Sequence, residues 1–395
     1  MASDFDPNVL DPAVLRASVS NKWNKYAAEV LPAWVADMDF AIAGPISEQL
    51  KRYHDGRFFG YAVPALPEKV KLAYANWWTT RYGLKVDPEL TIVVTEVVQA
   101  IHAVTHAFSE PGDGLLILTP IYPPFLGVVE QQQRRMVEHR MTVVDGRYRF
   151  DAEALRALID RERPKILLLC NPHNPLGRVF AEEELRTLGE LAVEFDMVIL
   201  SDEIHADLVY APHQHISIGT LSPEIGERTV TATSASKSFN LAGLRCAVMS
   251  FGSGALKQSF DAVIPGHLLG VASVPGQLAT VAAWSQGGDW LDDCLAQLRA
   301  NRTLVVDTFA RELPMVGLVP VEATYLQWLD FSSFPVAADG LISTRIREDA
   351  LVAMNDGPTF GAGLESFTRL NFATSTALLT EILGRIVGWG QKVHA

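Results

Sequence analysis

The chain has 395 residues, nearly half of them apolar and a fifth charged, which gives length enough for a large buried core and argues against a short binding module or widespread disorder. The formal net charge of −13 leaves no broad basic surface for nucleic acid or anionic lipid, although a small cationic patch around one phosphate still fits. Three widely spaced cysteines, Cys170, Cys246 and Cys294, with no CxxC pair, support neither a disulfide framework nor a thiolate zinc site and suit buried thiols in a reducing compartment.

In chain order, the N-terminus carries Asp4, Asp6 and Asp11 without a basic patch and apolar run, so no secretory signal is expected and the expected location is cytoplasmic. The segment up to Pro45 has few periodic signals and is expected to pack on a C-terminal domain. Residues 115–118, 166–169 and 197–200 are short apolar runs bounded by turn residues, the pattern of strands buried on both faces. Residues 181–195 set Leu185, Leu188, Leu191 and Ala192 on one face with glutamates opposite, which predicts an amphipathic helix. Such alternation predicts an α/β protein with a mostly parallel sheet and ligands at the carboxyl ends of its strands. Residues 262–284 lack charge for long enough to raise a membrane-spanning helix, but Pro265, His267, Pro275 and Gln277 argue against one, and no membrane partner is expected. Residues 291–311 then read as a long helix, 325–329 as a strand, and the stretch after Ser375 as a closing helix. The expected organisation is a large domain over residues 46–285 and a smaller α+β domain formed by 1–45 together with 286–395.

Polar motifs fall at the ends of the expected strands. Asn171-Pro172-His173-Asn174-Pro175-Leu176-Gly177 is, on composition, a turn-rich loop. In Ser201-Asp202-Glu203-Ile204-His205 the aspartate is placed either as a helix N-cap or as a functional acid at the strand end where a ligand would bind. Ser234-Ala235-Ser236-Lys237-Ser238-Phe239-Asn240 is followed by Leu241-Ala242-Gly243-Leu244-Arg245. A lone lysine is ordinarily exposed, but one that forms a Schiff base needs a depressed pKa and a nearby phosphate anchor, which Ser234, Ser236 and Arg245 supply. The pairs His102/His106 and His213/His215 show no third ligand and are read as helix-surface and loop residues, so no metal is expected.

The lysine segment resembles that of the fold-type I pyridoxal 5'-phosphate (PLP) enzymes in the class I/II aminotransferase superfamily. The resemblance implies that Lys237 holds PLP, that Asn174 donates to its phenolic oxygen, and that Asp202 faces the pyridine nitrogen. Many aminotransferases carry a tyrosine where this chain has His205. In that respect, and at Trp34-Val35-Ala36-Asp37-Met38-Asp39-Phe40 and Phe59-Gly60-Tyr61, the chain is similar to the cystathionine β-lyase-like MalY/PatB branch over nearly its whole length. The branch implies that Tyr122, within Thr119-Pro120-Ile121-Tyr122-Pro123-Pro124, stacks on the pyridine ring. It also implies that Tyr61 reaches the cofactor of a neighbouring subunit, which makes a homodimer with its active site at the subunit interface. The backbone N–H groups of Val97 and Val98 would cup the phosphate at a helix start; Glu96, standing where most relatives have glycine, is expected to point away from it. Arg369, in Phe367-Thr368-Arg369-Leu370-Asn371-Phe372, would grip the substrate α-carboxylate beside Asn174 through two parallel hydrogen bonds.

The expected function is that of a PLP-dependent carbon–sulfur β-lyase, which converts cystathionine or another cysteine S-conjugate, a small amino-acid substrate, to a thiol, pyruvate and ammonia. The alternatives are a PLP-dependent aminotransferase and, since some relatives of the branch act as regulators, a binding partner of a transcription factor. The combined presence of Lys237, Asp202, Asn174, Arg245 and Arg369 favours an enzyme, because a pure binding protein has no physical need for all of them.

Overall fold

In the computed structural model, which describes residues 3–8, 11–336 and 340–394, the apolar runs become inner strands of a seven-stranded sheet. In chain order the strands are β1 (Thr91–Val94), β2 (Gly114–Thr119), β3 (Arg135–Arg140), β4 (Ile166–Cys170), β5 (Val198–Asp202), β6 (Thr229–Thr233) and β7 (Ala247–Phe251), arranged β3-β2-β4-β5-β6-β7-β1. All pairings are parallel except those of β7, which runs antiparallel to both β6 and β1. The α/β class with a mostly parallel sheet is the one the sequence predicts.

Successive side chains of a strand point to opposite faces. Leu115, Ile117, Ile166, Leu168 and Leu200 therefore join one core with helices Val97–Phe108, Pro123–Gln131 and Gly254–Val263. Leu116, Leu118, Leu167, Leu169 and Ile199 join another with helices Ala152–Glu162 and Glu182–Glu194. A sheet covered on both faces needs apolar residues at consecutive positions, so its strands read as unbroken runs. Helix Glu182–Glu194 buries Leu185, Leu188, Leu191 and Ala192, the stripe expected from its periodicity.

A second, antiparallel sheet contains β8 (Gly317–Leu318), β9 (Leu326–Asp330), β10 (Asn355–Asp356) and β11 (Phe367–Asn371) in the order β8-β9-β11-β10. Its core is shared with helices Gly288–Glu312, Ile342–Ala350 and Thr376–His394 through residues such as Leu298, Ile346 and Ile382. The N-terminal segment enters the same core: Leu31–Pro32 pairs in parallel with Val352–Ala353, and Trp23 and Phe40 are fully buried. There Lys22 Nζ meets Asp39 Oδ2 at 2.8 Å, and Trp23 Nε1 donates to Asp39 Oδ1 at 2.7 Å. Charge-assisted bonds to both oxygens offset the cost of burying this carboxylate.

The uncharged stretch 262–284 is divided among the end of helix Gly254–Val263, a single turn at Gly266–Leu269, and helix Val274–Gln286, which Pro275 opens. In its second half the lack of charge reflects burial, since Val274–Gln286 packs between helices Gly44–Asp55 and Ala65–Tyr82, whereas Val263, Leu268 and Val271 in the first half are exposed. Among the described residues no helix is long and apolar enough to cross a membrane.

Helix Ala65–Tyr82 buries Leu66, Val70, Tyr74, Trp77 and Trp78, and it is tied to the lysine-bearing turn through one carboxylate. Asp207 Oδ1 accepts from Trp77 Nε1 at 2.9 Å and Tyr82 Oη at 2.5 Å, and its Oδ2 accepts from Ser238 Oγ at 2.8 Å. Replacing Asp207 by alanine strands three donors in a dry region, at about 1 kcal/mol or more each. The variant is expected to lose about 3 kcal/mol in urea unfolding; a loss under about 1 kcal/mol would show that these bonds do not hold the helix.

Candidate active site

The carboxyl ends of β1, β2, β4, β5 and β6 open on one cavity of about 660 Å³. Its wall includes Val97 and Val98 after β1, Tyr122 after β2, Asn174 after β4, Asp202 and His205 at the end of β5, and Ser234, Ser236 and Lys237 after β6. Arg245, just ahead of β7, completes it. Parallel strands bring residues distant in sequence to one edge, where ligands of open α/β sheets bind. Two expected site residues stand apart. Arg369 lies behind Asn174 rather than on the wall, and Tyr61 is fully exposed elsewhere on this chain.

The lysine turn is built from small residues. The extended backbone of Ser234 allows its Oγ to accept the Ser236 N–H at 3.0 Å and to donate to the Cys246 carbonyl at 2.6 Å. The Ser234 proton is thus engaged inside the fold, which leaves Ser236 as the freer hydroxyl of the turn. Lys237 Nζ donates to the Ala36 carbonyl at 2.8 Å, as does Tyr325 Oη at 2.9 Å. Burial lowers the pKa of Lys237, Asp37 opposes the shift, and the positive charge of Arg369 adds to it, which favours a neutral, nucleophilic amine. Asn240 (φ 58°) and Arg245 (φ 54°) both adopt left-handed backbone. Asparagine tolerates that conformation and arginine rarely takes it, so Arg245 is strained at the cavity edge.

Asp202 ends β5 and does not cap a following helix; its Oδ1 accepts only a local Ile204 N–H at 3.0 Å. Burial raises its pKa to about 7, against the opposing Ile204 hydrogen bond. Beside it His205 is buried, its pKa pushed down to about 3 by burial and then by the positive charges of Lys237 and Arg369. The Nδ1 atom of His205 has no partner among the described residues. The cavity therefore holds a carboxylate that lacks a cationic N–H and a neutral imidazole with a free ring nitrogen. On its other side, no side chain caps the first N–H groups of helix Val97–Phe108, and such a helix start attracts phosphate. These groups fit a flat, protonated pyridine carrying a phosphate.

Arg369 is buried, and its pKa is lowered to about 10 by burial. Nη1 donates to Asn174 Oδ1 at 2.8 Å, Nη2 to Asn355 Oδ1 at 2.6 Å and to the Trp34 carbonyl at 3.2 Å, while Nε is unpartnered. Two residues along β11, on the same side of the strand, Asn371 Nδ2 donates to the carbonyls of Val35 at 2.6 Å and Asp37 at 2.7 Å. Asn240 holds the next stretch, donating to the Met38 and Phe40 carbonyls at 3.0 Å each. Asn355, Asn371, Asn240 and the Ala36 carbonyl were not legible as site residues in the sequence. The Trp34 to Phe40 motif marks the segment without naming its donors, and Asn240 and Asn371 stand inside the lysine and Arg369 motifs with nothing to single them out.

Two expectations are corrected. Glu96 does not point away: its carboxylate lines the cavity and pairs with the Arg245 guanidinium, the cation nearest to it across the turn. His215 is not a loop-surface residue; it is buried, with Nε2 2.8 Å from Glu203 Oε2, because Glu203 is itself buried and also takes Ser201 and Ser217. His102 is half-buried against Gln132. Among the described residues no group of three His, Cys, Asp or Glu side chains is arranged to hold a metal ion.

The sequence profile described as aminotransferase class I and II matches residues 27–386. Cystathionine β-lyase PatB of Bacillus subtilis is 36% identical over 372 residues, spanning 93% of this chain and 95% of PatB. Protein MalY of Escherichia coli is 30% identical over 345 residues, 87% of each chain. The crystal structure of cystalysin from Treponema denticola, which contains a pyridoxal 5'-phosphate cofactor, matches with a TM-score of 0.91 at 29% identity, covering 98% of this chain and 99% of cystalysin.

The electrostatics of Asp202 give a pH dependence with a definite sign. Its carboxyl titrates near 7 in the fold against 3.8 ordinarily, so its stability contribution is full below the lower value and is lost as pH rises toward the upper one. In ligand-free protein, Asp202→Asn is expected to raise the melting temperature more at pH 8 than at pH 5. An equal shift at both pH values would show that the buried carboxylate carries no such penalty.

Proposed function

We propose, for a chain that belongs to the class I and II aminotransferase family, that it is a PLP-dependent carbon–sulfur β-lyase acting on cystathionine or a related cysteine S-conjugate, with water, to release a thiol, pyruvate and ammonia. The observation that carries this reading is a single cavity faced by a lysine of lowered pKa and a buried aspartate, with a buried arginine one hydrogen bond behind its wall. The choice of lyase is supported by the names of PatB, a cystathionine β-lyase, and of its relatives, and by His205 where many aminotransferases carry tyrosine.

Bound PLP supplies a protonated ring that takes up the electron pair left when a substrate loses its Cα proton. Asp202 holds the proton on the ring nitrogen, which in turn gives its buried carboxylate the cationic partner it lacks. Asn174, whose Oδ1 is engaged by Arg369, has its amide N–H groups left for the phenolic oxygen. Tyr122 lies against the ring, and His205, kept neutral, adds no charge beside it. Ser236, Arg245 and the N–H groups of Val97 and Val98 take the phosphate, with Ser234 bracing the turn. Arg369 receives the substrate α-carboxylate and so orients Cα–H toward Lys237. Lys237 Nζ removes that proton, after which the thiolate can leave Cβ.

In this reading the chain is a homodimer in which Tyr61 reaches the partner's cofactor. Support comes from the exposure of Tyr61 with Phe58, Phe59 and Val63, an apolar group that a monomer would leave bare to water. The division into a large domain of residues 46–285 and a small domain of 1–45 with 286–395 is supported by the two sheets, whose strands fall within 91–251 and 317–371. A cytoplasmic location is supported by three free, buried thiols.

The test is L-cystathionine turnover by purified protein with PLP. Pyruvate and thiol are expected in equal amounts, falling by about 10³-fold or more in Lys237→Ala. Arg369→Lys is expected to lose roughly 10²-fold in kcat/KM, since a lysine cannot pair bidentately with a carboxylate. Amino transfer to a 2-oxo acid without thiol release would make the chain an aminotransferase and overturn the lyase reading.

A further inference from the structure

Arg245 and Lys237 are the two cationic side chains on the cavity wall among the described residues. Lys237 is engaged by the Ala36 carbonyl, so Arg245 is the cation left to meet a phosphate. Its guanidinium is occupied by Glu96. Glu96 stands immediately before helix Val97–Phe108 on extended backbone, a position from which shorter polar side chains, such as those of Asp and Ser, usually cap the first N–H groups. It makes no such bond. Its carboxylate instead crosses to Arg245, beside the uncapped N–H groups of Val97 and Val98 on the same wall.

We propose that Glu96 is an internal competitor for the cofactor phosphate: it occupies Arg245 until the phosphate displaces it, and so sets how tightly PLP is held. This rests on the PLP reading above. Two anions cannot share one guanidinium and one helix start without repulsion, so seating the phosphate requires the Glu96 carboxylate to turn outward. Solvent reaches both partners, with 60% of the Arg245 side chain and 41% of the Glu96 side chain exposed. Such a pair is cheap to break, and the competition is correspondingly modest. The opposite role, in which Glu96 braces Arg245 for the phosphate, predicts the opposite sign.

The experiment is a fluorescence titration of the full-length protein, stripped of cofactor, with PLP and in parallel with pyridoxal, which lacks the phosphate. Glu96→Gln is expected to bind PLP roughly three- to tenfold more tightly than wild type, while Glu96→Asp stays within about twofold and pyridoxal affinity is unchanged. In an Arg245→Met background the gain from Glu96→Gln should disappear. Unchanged or weaker PLP binding in Glu96→Gln, or equal tightening toward pyridoxal, would overturn the proposal. Failure of wild-type protein to bind PLP at all would overturn the cofactor reading itself, an outcome distinct from a wild type and a Glu96→Gln variant that bind equally well.

Discussion

The buried backbone of residues 34–40 is the constraint around which the site is organised. Buried carbonyls need donors, and over this stretch few of them come from a sheet. Arg369 supplies the Trp34 carbonyl, Asn371 those of Val35 and Asp37, Lys237 and Tyr325 that of Ala36, and Asn240 those of Met38 and Phe40. Most of the donors come from the lysine turn and from the second sheet and its border, and Lys22 adds a bond to the Asp37 carbonyl at 3.1 Å. One extended segment therefore fixes both halves of the cavity, and the side chains that satisfy its backbone include those read as chemical groups.

The ionisable groups of the cavity are shifted in the direction that burial alone produces. Asp202 moves up while Lys237 and Arg369 move down, each toward its neutral form. None of the three pairs directly with another through an ion pair. They are arranged instead to meet charge brought from outside: a cationic ring nitrogen for Asp202 and a carboxylate for Arg369. A site built this way is less stable empty than filled, because a ligand that binds only the folded state adds its binding free energy to folding.

What the sequence revealed followed from burial geometry. Strands β2, β4 and β5 were legible because a sheet covered on both faces demands consecutive apolar residues, and helix Glu182–Glu194 because it buries only one stripe. Helix Ala65–Tyr82 gave no comparable signal, since its apolar residues are distributed around several sides. Lys237, Asp202, Asn174 and Arg369 were legible only through their neighbours and the family likeness, for none is distinctive alone. Backbone acceptors such as the Ala36 carbonyl leave no mark in a sequence, and Asn355 lies in a strand of two residues, too short to give a periodic signal. The direction of Glu96 depends on a charge that folding brings from a distant position, Arg245, and the burial of His215 on a buried carboxylate, Glu203, at the end of the preceding strand.

The knot at Asp207 lies outside the cavity wall, yet it holds Ser238, the residue next to the reactive amine, to a peripheral helix. The backbone that carries the amine is thus braced from behind, while the amine itself is held from the front by the Ala36 carbonyl on the cavity wall. Exchanging other wall residues leaves the rear brace in place, but a change that shifts residues 34–40 moves the amine with it.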